Sequence, residues 1–518
     1  MRDETASSYR FGPLERRGLI AGWRGGQVAV IAIGLFAAVA SLRSLPSGPA
    51  IAVAVVSMAV AVAVATWPIA GRTGDEWLPD VTRHGARVVS GRTWRAPSKP
   101  TGQKGRTTSP DTGPCPPRNK RGAPTPRRPD RGPFSALRIL HADAGNSQAA
   151  VVFDAAERTY TAVVPASASG FVLLGRADRD RRVSGWAAAL GVLARQGSPV
   201  HRIQWVARTL PGTASGGSQD LSTMARHVRD PAGAVAAAEA GAHDVARAAS
   251  ASYDQLVAEA RPVTGRHQVL LSMTVQGSRS RVGIRPPGPA EHATACATLH
   301  RELASFRRRL SDADVHTAPP LTPRALASVI RVGFSSSRWA WPEECGTTWP
   351  WPVASEVLWD AVRMDGTWHA TYWVAEWPRT DVSADFLSPL LLAGDLRQAV
   401  SVTMEPLSPM EAARQAQQAR TADVADAELR RKGGFLHTAR RRREEETLAD
   451  REAELADGHA PFKFSGYVTV SGDSREDLDE SCGRIEQSAG QCGMELRRCY
   501  GDQQRTFGFT LPLGRGVS

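Results

Sequence analysis

Two apolar runs near the amino terminus set the strongest limit on how this chain can fold. Residues 26–42 read GQVAVIAIGLFAAVASL and residues 50–67 read AIAVAVVSMAVAVAVATW, both without charge. Each run is apolar on every face of a helix and is about long enough to cross a bilayer. The segment RSLPSGP between them carries two prolines, which prevent one continuous helix. The sequence therefore predicts a two-helix transmembrane hairpin over residues 26–68.

The flanking charges predict how this hairpin is oriented. Basic residues lie on both outer sides of the pair, whereas only Arg43 lies between the two runs. Because arginine stays on the cytoplasmic side, both termini are expected in the cytoplasm, with residues 1–25 as a cytoplasmic N-terminal segment. A cleaved signal peptide is disfavoured, since a second apolar run follows the first at once. The alternative is a helical hairpin buried in a soluble core.

This interpretation predicts a multi-pass protein of the cytoplasmic membrane, with a small set of anchoring side chains. Arginines hold the amino terminus inside, and tryptophans at the ends of the runs suit the lipid headgroup region. The predicted membrane-anchoring residues are Arg16, Arg17, Trp23, Arg24 and Trp67.

Residues 69–133 are predicted to form a linker that is largely disordered. Its second part, residues 96–133, is dense in proline, glycine, serine, threonine and basic side chains and shows no apolar periodicity. The formal net charge of the whole chain is +12, and this segment is strongly basic. Contact with anionic lipid is the favoured role, and contact with DNA is the alternative, although no aromatic residues are interleaved for base stacking.

Residues 134–518 are predicted to form cytoplasmic α+β structure. Short β patterns alternate with helical ones, and no glycine-rich strand-to-helix turn favours a doubly wound fold, so antiparallel sheets layered with helices are expected. The end of the chain reads as a strand in PFKFSGYVTVSG, a helix capped by Ser474, and two strands in MELRRCYG and RTFGFTLPLG. This order predicts a terminal βαββ unit. Helices are also predicted over residues 179–196, 231–260, 291–310, 323–331 and 409–457.

Tryptophan is concentrated in residues 338–379, which hold eight of the fourteen in the chain. Amphipathic aromatic rings are typical of docking surfaces for a partner or a membrane. The alternative is a core crossed by aromatic loops, because part of this region, HATYWVAEW, has the composition of a strand. The predicted docking residues are Trp349, Trp351, Trp359 and Trp377.

The sequence contains none of the common catalytic motifs. GxxxxGK[ST], GxSxG and HExxH do not occur, and the six cysteines form no CxxC pair. The isolated histidines His267, His369 and His459 are interpreted as structural. We therefore expect no catalytic, cofactor-binding or metal-binding residues and no enzymatic activity.

Several segments together resemble a known family. They are FGPLERRGLIAGWRGGQ before the hairpin, RIQWVARTLPG, WPWPVASEVLWDAVR, HATYWVAEWPR followed by FLSPLLL, REAELADGHAPFKFSGYVTVSG, and the closing TLPLGRG. In their order and spacing they resemble the actinobacterial conjugal-transfer membrane proteins. In that family a two-helix membrane module like that of type IV secretion is fused to a domain similar to the N-terminal part of the conjugative secretion ATPases.

The resemblance implies a non-catalytic, membrane-anchored scaffold component of a conjugative or type IV-like secretion machine. In the related ATPases the equivalent of GFTLPLGRG leads towards the nucleotide-binding motor, whereas this sequence ends at Ser518. The expected partners are a separately encoded ATPase, other membrane components and lipid, with nucleic acid bound at most indirectly and an oligomer expected. One alternative is a membrane-tethered nucleic-acid-binding protein that uses the basic linker, and another is an enzyme of unrecognised fold.

Overall fold

The structure is a computed structural model, and one large antiparallel sheet organises it. The residues described are 25–44, 47–66, 73–90, 94–95, 133–144, 147–168, 174–210, 266–277, 287–334, 350–352, 354–393, 396–415, 417–418, 420–421 and 461–517. The strands are β1 (Trp94–Arg95), β2 (Leu137–Ala144), β3 (Ser147–Asp154), β4 (Thr159–Ala168), β5 (Val200–Leu210), β6 (Arg266–Gln276), β7 (Val315–Thr317), β8 (Ser355–Val357), β9 (Val362–Met364), β10 (Thr367–Glu376), β11 (Gln398–Pro406), β12 (Phe462–Gly472) and β13 (Glu495–Arg498).

The sheet consists of two halves with the same strand order. From its centre outward, one half runs β5-β6-β4-β3-β2, with β7 also paired to β4. The other half runs β11-β12-β10-β9-β8, with β13 also paired to β10 and β1 at the far edge. The central strands β5 and β11 pair antiparallel, with Val206 opposite Ser401. This arrangement is that of an internal duplication related by a pseudo-two-fold axis between the two central strands.

Helices cover both faces of the sheet. The helices are α1 (Gly25–Ser44), α2 (Ser47–Thr66), α3 (Gly74–Val89), α4 (Arg176–Gly191), α5 (Pro289–Asp312), α6 (Pro323–Phe334), α7 (Ser388–Leu391), α8 (Arg475–Gln491) and α9 (Gln503–Phe507), and residues 409–415 are also helical. On one face, α4 and α5 pack against the first half of the sheet and α7 and α8 against the second. On the other face, α6, α9 and the end of the chain enclose a core shared by both halves.

The predicted α+β class, with antiparallel sheet layered by helices, is therefore confirmed. The predicted helices over residues 179–196, 291–310 and 323–331 correspond to α4, α5 and α6. The helix predicted over residues 231–260 lies outside the described residues, as does most of the one over residues 409–457.

Two predictions about the organisation of the chain require correction. Within the predicted linker, residues 69–133, the structure contains the helix α3 and the short strand β1. Apart from Pro133, its basic part, residues 96–133, lies outside the described residues. The predicted βαββ unit is wrong in its last element, because β12, α8 and β13 are followed by α9 and a 3-10 turn, Gly508–Thr510, rather than by a strand.

The last described residues, Phe507–Val517, lie across one face of the sheet; we call them the C-terminal segment. The buried amide of Gln204 on β5 donates to the carbonyls of Phe509 and Leu511 at 2.8 and 3.0 Å and accepts from the N–H of Gly514 at 2.8 Å. Thr403 on β11 donates to the carbonyl of Arg515 at 2.8 Å. In a β-sheet the backbone of a strand is hydrogen-bonded by the backbone of its neighbour. Here side chains of the sheet form these hydrogen bonds with the C-terminal segment instead, so the segment does not pair as a strand.

The helices α1 and α2 pack antiparallel along a seam of small residues. Gly34, Ala38 and Ser41 of α1 are buried, as are Ala54 and Ala61 of α2. Small side chains let two helix backbones approach closely. At the open end of the pair, Nε2 of the Gln27 amide donates to the carbonyl of Ala65 at 2.7 Å.

Substituting Gly34 by isoleucine should separate α1 from α2. A Cβ atom at this position would lie only 2.3 Å from Cβ of Ala61, so a larger side chain forces the helices apart. The separation is measured by disulfide formation between cysteines introduced as Gln27→Cys and Ala65→Cys in detergent. We expect the yield to fall in Gly34→Ile and to persist in Ala37→Ile, at an exposed position of the same helix. Equal yields in the two variants would contradict this packing.

Candidate functional site

The outer surface of α1 and α2 is apolar and exposed. Phe36 of α1 is 76% exposed, and Ile33, Leu35, Val55 and Val56 are exposed with it. Among the described residues, one helix, Gly26–Ser44, is long and apolar enough to cross a membrane, and Ala50–Thr66 is an apolar helix of shorter length. The core helix of a soluble protein would be mostly buried, whereas only 17% of the apolar window is buried here. An exposed apolar surface of this extent is typical of a membrane or protein contact.

The helix α3 connects these apolar helices to the sheet through a cluster of aromatic rings. Trp77 of α3 stacks on Trp359 with ring centroids 5.7 Å apart, and Tyr500 lies 5.8 Å from Trp77. His84, two turns further along α3, meets Trp359 edge-on at 5.1 Å. Trp359 lies in the turn between β8 and β9, and Tyr500 in the turn between β13 and α9. We call the contact of Trp77, His84 and Arg87 of α3 with Trp359, Tyr500 and their neighbours in the two turns the α3 junction.

Polar contacts fix the far end of the α3 junction. The Arg87 guanidinium donates to the carbonyl of Gly501 at 3.2 Å and pairs with the Asp502 carboxylate at 3.3 Å. Asp502 is buried, and a charge-assisted hydrogen bond to a buried carboxylate is stronger than a neutral hydrogen bond. The amide of Gly501 donates in turn to the carbonyl of Trp359 at 2.6 Å, so the two turns that receive α3 are bonded to each other.

Gly501 is required at its position for two reasons. Its φ of +75° lies in the left-handed region of backbone conformation, which residues other than glycine rarely adopt. A Cβ atom would also lie 2.8 Å from the Trp359 ring and 3.2 Å from the carbonyl of Asp80 on α3. The close approach of α3 to the sheet therefore depends on glycine here.

Electrostatics at the α3 junction favour a fixed geometry. Burial, and secondarily the charge of Arg87, lower the pKa of His84, so a neutral imidazole meets Trp359. Next to Trp359, burial opposes ionisation of Asp360, but Arg475 and Arg498 outweigh it and lower the pKa of this carboxyl group. The Asp360 ion pairs join the β8–β9 turn to α8 and β13.

The structure places the predicted docking tryptophans in three different contacts. Trp351 stacks on Phe134 at 5.7 Å, Trp359 belongs to the α3 junction, and Trp377 meets Phe464 at 5.5 Å. All three are half-buried. Each therefore has a packing role within the chain, and docking of a partner by these residues stays a prediction. Trp349 and the predicted anchoring residues Arg16, Arg17, Trp23, Arg24 and Trp67 lie outside the described residues.

Sequence reasoning missed α3, although a signal was present. Apolar residues recur there at helical spacing, namely Trp77, Leu78, Val81, Val88 and Val89, whereas residues 69–133 as a whole were predicted to be a linker. Pro79 and the neighbouring glycines weaken this helical signal. The structure shows that this segment is a connection of defined geometry between the apolar helices and the sheet.

Within the described residues, no group of three or more His, Cys, Asp or Glu side chains is placed to hold a metal ion. The cysteines Cys296, Cys482, Cys492 and Cys499 are buried free thiols.

No protein-family model and no curated protein matches this chain. The candidate site is therefore defined by geometry alone, as the exposed apolar helices and the α3 junction.

Substituting Trp359 by alanine should release α3 from the sheet. The variant loses the stack on Trp77 and the edge contact with His84, and removing a half-buried aromatic side chain costs about 2 kcal/mol. We expect faster trypsin cleavage after Arg83 and Arg87 of α3. The control is Trp377→Ala, which removes a similarly half-buried ring that contacts Phe464. If both variants are cleaved in α3 at the wild-type rate, the α3 junction does not hold this helix.

Proposed function

We propose that the chain is a membrane-anchored scaffold in which α1 and α2 form a transmembrane hairpin and the sheet forms a cytoplasmic body. The observation that supports this most is the uncovered apolar surface of both helices, which are attached to a large folded body through the α3 junction. Removing such a surface from water is worth about 25 cal/mol per Å², so a lipid environment stabilises it strongly. The flanking arginines favour a cytoplasmic location of both termini.

The partner in this proposal is a separately encoded ATPase of a conjugative or type IV-like secretion machine. This part of the proposal rests on the family resemblance of the sequence, which also favours an oligomer in the membrane. A scaffold needs rigid surfaces rather than reactive groups. The two halves of the sheet, joined by the buried C-terminal segment, fit this need.

Membrane insertion is tested by alkaline extraction of cell membranes. The full chain should remain in the membrane pellet, whereas a variant lacking residues 1–68 should move to the soluble fraction. Extraction of the full chain at high pH would contradict the transmembrane hairpin.

The scaffold role is tested by purifying the full chain in mild detergent from its native cells. Co-purification of a protein with ATPase activity is expected, and the chain alone should hydrolyse no ATP above background. Recovery of nucleic acid instead, released with a steep dependence on salt, would favour a nucleic-acid-binding protein. A chain that purifies without an ATPase would contradict the scaffold role.

A further inference from the structure

The helix α3 has a second face that the sheet does not cover. Leu78, Val81, Val88 and Val89 are all exposed, and Val89 is 90% exposed. Their spacing places them on one side of the helix, next to the side that carries Trp77, His84 and Arg87. We call these four residues the aliphatic stripe. Four exposed aliphatic side chains in one stripe mark a contact surface rather than ordinary solvent-facing helix.

The position of α3 relative to α1 and α2 indicates what the aliphatic stripe contacts. Gly74 at the start of α3 abuts the end of α2, because a Cβ atom there would lie 2.5 Å from Cγ1 of Val64 and 2.6 Å from its carbonyl oxygen. The contact of Gln27 with Ala65 places the start of α1 at the same end. The helix α3 thus lies where both apolar helices end, on the side of the body.

We infer that the aliphatic stripe of α3 is a lipid-binding surface that lies in the headgroup and acyl boundary of the membrane that α1 and α2 cross. The inference rests on the proposed transmembrane hairpin. Val62 and Val64 at the end of α2 are exposed, as are Leu78 and Val81 of α3, and Gly74 at the start of α3 lies against Val64. Amphipathic helices in this location bury their apolar face about 5–10 Å into the boundary.

This arrangement fixes the orientation of the body on the membrane. One side of α3 lies on lipid while the adjacent side is held by the α3 junction, through the Trp77–Trp359 stack and the Arg87–Asp502 pair. The sheet is therefore held at a set angle and distance instead of moving freely on a tether.

The test is photo-crosslinking of the full chain in vesicles of phosphatidylcholine and phosphatidylglycerol. A diazirine amino acid replaces Val89 in one variant and Val81 in a second, which serves if the first does not fold. Ala86 is the matched control, because it is exposed on α3 outside the aliphatic stripe. Phe36, exposed on α1, reports insertion of the hairpin. Adducts are identified by mass spectrometry.

We expect lipid adducts at Val89 and Val81 in a yield several-fold above that at Ala86 and similar to that at Phe36. Adducts at Phe36 with none at Val89 and Val81 would overturn the inference and leave the hairpin in place. Adducts at none of these positions would overturn both proposals. A protein adduct at Val89, with a second copy of the chain or another protein, would show that the aliphatic stripe is a protein interface and would also overturn the inference.

Discussion

Gly514→Ala should lower the free energy of unfolding by about 2–5 kcal/mol, a large fraction of the stability of a typical domain. Gly514 lies in the C-terminal segment with a φ of +66°, where an alanine is strained. Its Cβ would also lie 2.0 Å from the hydroxyl oxygen of Thr274 and 2.9 Å from that of Thr161. These two hydroxyls bond each other at 2.8 Å beneath the segment and belong to the backbone-bonded strands β6 and β4. Thr161 and Thr274 cannot move away from the added methyl group without breaking these hydrogen bonds.

The matched control for this variant is Gly197→Ala. Gly197 has a similar φ of +78°, but nothing lies within 4 Å of the added Cβ atom. This variant should therefore show the backbone strain alone, about 1–2 kcal/mol. Both values come from urea unfolding followed by tryptophan fluorescence in detergent. Equal losses in the two variants would mean that the C-terminal segment is not seated against the sheet as described.

The same segment shows where sequence patterns stop being informative. RTFGFTLPLG has the aromatic and β-branched composition of a strand, and a local pattern therefore predicts one. The hydrogen-bonding partners of the C-terminal segment, Gln204, Thr403 and Ser465, are distant in sequence and come from three different strands. Only the paired sheet brings these side chains together, so the segment's location depends on non-local contacts that no window of the sequence contains.

Some of the strands were predictable, but their order in the sheet was not. Composition indicated the regions of β10, in HATYWVAEW, and β12, in PFKFSGYVTVSG, correctly, because both are rich in β-branched and aromatic residues. The repeat between the two halves of the sheet is not visible in the sequence, since the two halves share topology rather than motifs. It becomes evident from the pairing of β5 with β11.

The candidate site was predictable in part. The apolar runs at residues 26–42 and 50–67 correspond to α1 and α2, because an uncharged apolar run of this length is a strong local signal. The role of Trp359 in the α3 junction was not predictable, because its partners Trp77 and Tyr500 lie far away along the chain. Tryptophan enrichment indicated an aromatic contact there without indicating that the contact is internal.

Acidification should destabilise the fold through His369, which is fully buried on β10. Its ring lies 4.6 Å from that of Phe507, and its Nδ1 is hydrogen-bonded to the hydroxyl of Ser471 at 2.8 Å. Burial first, and then the charge of Arg397, lower the pKa of His369 to about 3. In the unfolded chain this pKa is about 6.5, so below that pH the unfolded state binds more protons and stability falls as the pH falls.

The expected loss between pH 8 and pH 5 is about 2 kcal/mol from this residue, and it continues until the pH reaches the pKa of the folded state. Urea unfolding of the full chain at pH 8, 6.5 and 5 measures it. In His369→Gln the amide does not titrate, so the free energy of unfolding should depend less on pH, even though lost packing on Phe507 lowers it at pH 8. His316→Gln, at an exposed position of β7, leaves His369 in place and should keep the wild-type dependence. If His369→Gln loses as much stability on acidification as the wild type, His369 is not the buried neutral base that its contacts with Phe507 and Ser471 require.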